Sequence, residues 1–116
     1  MWMRVSAVVV CGVAASLLAG CRSAFVDADV RNETGGPVQV LEVDYPSASF
    51  GRSNVAAGAE FHYRFKILGS GDTKVVWTGV GGDHTVKGPA LHEGQQGRLY
   101  LTLKPATAEW RTEMVH

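Results

Sequence analysis

Cysteine is nearly missing from this 116-residue chain: only Cys11 and Cys21 are present, both within its first 21 residues. A disulfide framework for the remainder is therefore excluded, and the domain has to rely on an apolar core. Charge of one sign is missing too, with 11 basic residues set against 11 acidic ones. That balance argues against a nucleic-acid-binding arm and against an acidic disordered tail. Proline occurs only four times, and no Pro-, Ser- or Gly-rich linker divides the chain. No stretch after Cys21 sustains a helical period, and no internal repeat is visible. The length fits one domain.

The apolar residues are unevenly placed. Met1-Trp2-Met3-Arg4 supplies a short start with one positive charge, and Val5–Ala19 is uncharged and rich in Ala, Val and Leu. A bilayer span needs about 20 such residues. A charged start, a short apolar run and a small-residue exit describe a secretory signal peptide.

The exit carries the most specific signal. Leu18-Ala19-Gly20-Cys21 resembles the lipobox of bacterial lipoproteins. The resemblance implies that the Cys21 thiol carries diacylglycerol, that cleavage falls just before it, and that palmitate-type acyl chains hold the mature protein on a membrane. Cys11 would leave with the signal peptide. Arg22 stands where an Asp in that family often signals inner-membrane retention. The resemblance thus implies delivery to the outer membrane, on its periplasmic face, if the host has two membranes. The expected organisation is a signal peptide over 1–20, lipidated cysteine and tether over 21–24, a β-sandwich over 25–105 and a C-terminal tail over 106–116.

Period-two alternation dominates the remainder. Val26, Ala28 and Val30 alternate with Asp27, Asp29 and Arg31. Asn32–Gly36 reads as a turn, and Pro37–Tyr45 as a second strand with a bulge near Val40 and Leu41. In EFHYRFKI, Phe61, Tyr63, Phe65 and Ile67 share one face, the three aromatics reading as core, and Glu60, His62, Arg64 and Lys66 share the other. Thr73–Val80 forms a strand with apolar residues on both faces, which suits a central position. Gly97–Lys104 turns Leu99, Leu101 and Leu103 inward, and Pro105 ends it. Six or seven short strands with turn signals every 8 to 12 residues predict an all-β fold, a small antiparallel β-sandwich. An immunoglobulin-like topology is the first expectation; a transthyretin-like or other small sandwich would read almost identically, and a small barrel is the competitor.

Catalytic signals are weak. His62, His84, His92 and His116 show no ligand spacing, so no metal and no cofactor is expected. Ser47 and Ser49, in YPSASFG, lie in an expected loop without a nucleophile elbow. The pairs Asp27 with Asp29 and Glu42 with Asp44 fit a solvated strand face better than an acid–base site. Asn32-Glu33-Thr34 matches a glycosylation sequon, read as coincidence. An enzyme is not expected.

Charge distribution is more suggestive. Residues 21–60 hold three basic and six acidic residues, whereas residues 61–116 hold seven and five. Were their strands neighbours, Arg64, Lys66, Arg98 and Lys104 would form a basic patch with Tyr100 and His62. Trp110 adds an aromatic in the expected tail, where packing onto the domain is the first reading and a contact to a partner or a sugar ring the second. The reading that results is a non-enzymatic, membrane-anchored module docking onto another envelope protein, with cell-wall or surface polysaccharide as the alternative ligand and no role for nucleic acid.

Overall fold

The computed structural model describes residues 24–115. The expected signal peptide, Cys21 and His116 lie outside them. Eight strands follow in order: β1 Val26–Asn32, β2 Val38–Tyr45, β3 Ala48–Val55, β4 Glu60–Phe65, β5 Gly71–Gly79, β6 Gly82–Leu91, β7 Gln96–Leu103 and β8 Ala108–Val115. They form two four-stranded sheets, ordered β4-β1-β7-β8 and β3-β2-β5-β6. The fold is an all-β sandwich.

The inner faces supply one core. Val26, Ala28 and Val30 from β1 and Leu99, Leu101 and Leu103 from β7 meet Leu41 and Val43 from β2 and Val75 and Trp77 from β5, all of them buried. These four strands are the central pair of each sheet, where both edges of the strand are hydrogen-bonded. Apolar alternation on such strands leaves the other face to polar side chains. Val76 points outward from β5 and is half-buried, which agrees with the central place expected for that strand.

The two long sides of the sandwich close differently. Between the β4 and β3 edges, the rings of Tyr45, Phe50, Tyr63 and Phe65 gather, with Tyr45 and Phe65 centroids 4.2 Å apart and Phe50 stacked on Tyr63 at 4.4 Å. Between β8 and β6, Trp110 lies on Gly88, where a Cβ would sit 2.6 Å from the indole Cε2. Only glycine lets that strand approach the ring so closely.

Several expectations need correction. One strand pair, β1 with β7, is parallel, from Val26↔Gly97 to Asn32↔Leu103; the other pairs are antiparallel. The first strand therefore lies beside the fourth and seventh, whereas the immunoglobulin order puts it beside the second. The transthyretin-like alternative fits this connectivity. The expected tail is a strand over Ala108–Val115: β8 pairs with β7 along its whole length, so the sandwich extends to Val115. Gly97 permits this contact, because at its φ of 142° a Cβ would overlap the Glu113 carbonyl oxygen.

The serine loop is the start of β3. Tyr45 pairs with Ala48 across Pro46-Ser47, and Ser47 has φ 82°. A Pro followed by a positive φ is the pattern of a type II turn. No bulge interrupts β2 against β3, whose pairs run from Val38↔Val55 to Tyr45↔Ala48 in one register. The two strands switch faces together, Val38 and Val55 being buried and Val40 exposed, with Asn54 at φ 55° in the switch. Finally, Tyr63 is 41% exposed rather than core, because β4 is an edge strand and its outer margin is uncovered.

Candidate functional site

Alternation turns the polar residues of β4, β1, β7 and β8 to one solvent face. Cross-strand pairs share a face, so Asp27 stands between Arg64 and Arg98, Asp29 between His62 and Tyr100, and Arg31 between Glu60 and Thr102. Arg98, Tyr100 and Thr102 face Glu113, Arg111 and Glu109 in turn. The result is a lattice of alternating charge.

The distances bear this out. His62 contacts both carboxylates, Nδ1 at 3.0 Å from Asp29 and Nε2 at 3.2 Å from Asp27. Arg98 Nη1 donates to Asp29 Oδ2 at 3.1 Å, and Arg64 Nε lies 3.6 Å from Asp27. Arg111 covers the Tyr100 ring at 3.9 Å and reaches Glu113 at 3.3 Å. Solvent-exposed pairs of this kind contribute at most about 1 kcal/mol each, so they set pattern more than stability.

The basic patch expected from Arg64, Lys66, Arg98 and Lys104 with Tyr100 and His62 is therefore corrected. Arg64, Arg98 and Tyr100 do share this face, but β1 interposes two carboxylates between the arginines. Lys66 lies past the end of β4. Lys104 is at the opposite end of the sandwich, donating to Glu33 at 2.8 Å. That hydrogen bond holds the Glu33 carboxyl below its usual range and the Lys104 ammonium above its own. Trp110 pairs with Leu101 and packs inward against the core. It is not a free aromatic.

An open groove of about 440 Å³ runs along this face, lined by Asp29, Arg31, Glu60, Tyr100, Glu109 and Arg111 among others. On the other sheet a shallow depression of about 530 Å³ spans Val40, Glu42, Gly51 and Val76. Among the described residues, no three His, Cys, Asp or Glu side chains gather as metal ligands. His84 stacks on Trp77 at 5.0 Å.

The two ends of the sandwich differ in chemistry. At the end where the chain enters β1, the loops Ile67–Ser70 and His92–Gln95 meet through Gly94 N–H to Ile67 O at 3.4 Å and Gly69 N–H to a Glu93 carboxylate oxygen at 3.2 Å. At the opposite end, Asn32 is fully buried. Its Nδ2 donates to the carbonyls of Gly36, Val55 and Ala56 at 2.9–3.1 Å, and its Oδ1 accepts from Thr34 N–H and hydroxyl. A glycan would need that same nitrogen, so the sequon does not present an acceptor. The network was missed as such, although Asn before a Gly-Gly turn is the signal that could have found it.

No protein-family model matches the chain, and no curated protein is similar to it. A solved structure is. It is an NMR structure of a protein from Eubacterium rectale, 13% identical, with a TM-score of 0.51 over 76% of this chain and 87% of the other. The likeness is one of fold.

Proposed function

We propose that this chain is a non-enzymatic lipoprotein of the bacterial cell envelope, held on a membrane through lipid on Cys21, whose sandwich docks onto another envelope protein. If the host has two membranes, the outer one carries it. Anchoring rests on the lipobox resemblance of Leu18–Cys21. Acyl chains give about 0.8 kcal/mol per buried methylene, and more than one chain on the cysteine makes attachment stable.

Docking onto a protein rather than a polysaccharide is favoured by the alternating charge of the β4-β1-β7-β8 face. A uniform polyanion finds each arginine there already beside a carboxylate. A protein with a matching alternation gains register and selectivity from the same pattern. A sugar ring, in turn, finds Tyr100 covered by Arg111 and Trp110 packed on Gly88.

The test is photo-cross-linking in living cells from positions on this face, Thr102 first, followed by mass spectrometry. One recurring envelope protein is the expected result. Wall fragments or lipid alone, from every position, would sink the docking reading. Cys21→Ser should leave an unprocessed precursor without lipid; normal cleavage of that variant, together with retention on membranes, would sink the anchoring reading.

A further inference from the structure

Among the described residues, six large apolar side chains are exposed: Phe25, Val40, Tyr63, Leu68, Val80 and Val115. Three of them, Phe25, Leu68 and Val115, belong to the end where the chain enters. Phe25 O accepts from Gly97 N–H at 3.2 Å, and Val115 faces Gln96, the neighbour of Gly97. Leu68 follows Ile67, whose carbonyl holds the His92–Gln95 loop. Leu68 is 55% exposed and Val115 is likewise 55% exposed, so these side chains project where nothing in the domain covers them. Arg64 lies 4.7 Å over the Phe25 ring, placing a cation at the margin of the same end.

Only Arg22, Ser23 and Ala24 separate Cys21 from Phe25. Four residue steps of extended chain reach about 14 Å at most. A lipid-bearing cysteine sits at the hydrocarbon boundary, beneath a headgroup layer of about 5–8 Å. The chain is then too short to carry the entry end far above the headgroups.

From this we infer that the entry end of the sandwich seats on the lipid surface, with Phe25, Leu68 and Val115 in the headgroup region. The β5–β6 hairpin, with Val80 at its tip, then faces away from the membrane. Exposed apolar side chains within reach of the anchor suit that interface. The inference rests on lipidation of Cys21.

The experiment uses the full-length protein, expressed in a bacterial host, purified with its lipid and reconstituted in phosphatidylcholine vesicles. An environment-sensitive fluorophore is attached at Leu68→Cys or at Val80→Cys, Cys21 being blocked by lipid. Nitroxide-bearing phospholipids should quench the label at position 68 and leave that at position 80 unquenched, at low and at high salt alike. Ser70→Cys, in the same loop, serves if Leu68→Cys loses its β-sheet circular dichroism. Equal quenching at the two ends, or quenching abolished by salt, would overturn the seating while leaving the lipoprotein reading intact. Mass spectrometry showing an unmodified Cys21 would overturn both.

Discussion

The two ends of the sandwich put their polar and apolar groups to opposite use. At the Asn32 end, a buried amide satisfies carbonyls from two separate turns, and the side chain becomes part of the core. At the entry end, the loops meet through a few long, exposed bonds and leave apolar side chains outside. The Asn32 end encloses a polar group and leaves Val80 out at its hairpin tip, whereas the entry end leaves Phe25, Leu68 and Val115 out. A buried amide with all its partners is stabilising because its removal strands several acceptors at once, whereas an exposed leucine contributes little until water is taken from it.

The comparison breaks most readily at Asn32. Asn32→Ala removes a buried donor shared by three carbonyls, of which Gly36 O keeps the Thr34 hydroxyl and Ala56 O the Ala59 N–H, and the expected loss is about 2 kcal/mol in urea unfolding. A loss below about 1 kcal/mol would place the two ends on a level. Thr34→Ala removes a hydroxyl 2.7 Å from Asn32 Oδ1 and 2.9 Å from Gly36 O, whose single proton serves one of them at a time. Its cost should be about 1 kcal/mol by the same measurement.

Tyr45 sharpens the contrast from the entry side, since its ring packs on Phe65 at 4.2 Å beside the first residue of β1. Burial, with Tyr63 nearby, raises its hydroxyl above the usual 10.0. A raised value means that the stabilisation is complete below pH 10.0 and is lost as pH rises through the folded-state value. Tyr45→Phe should therefore flatten the fall in stability above pH 10 seen in alkaline urea titrations; an unchanged alkaline limb would show that the ring is solvated. The smallest effect belongs to Leu68→Ser, which should change stability by less than about 0.5 kcal/mol. A larger loss would mean that this loop belongs to the core after all.

Much of the sandwich was legible locally. The faces of β1 and β7, the central character of β5 and the stop at Pro105 all follow from alternation and turn chemistry. What was not legible has a common cause. Edge strands bury little, so β3 and β8 show weak alternation, and Tyr63 looks inward by parity while lying at an uncovered margin. The candidate face failed as a basic patch for the same kind of reason: Asp27 and Asp29 were visible as a pair on one face, but nothing near them in sequence says that they stand between Arg64 and Arg98.

By itself, the sequence determined the all-β character, the residues that face the core along the central strands and, through Leu18–Cys21, the expectation of a lipid anchor close to the first strand. Only the tertiary structure decided that β1 lies between β4 and β7, that the outer face is a charge lattice, that Trp110 closes a seam over Gly88, and that Asn32 is buried. Alternation depends on neighbours two residues apart and is written in the chain. Charge cancellation, seam closure and burial of an amide depend on which distant strands become neighbours, and that is settled when the whole core is packed.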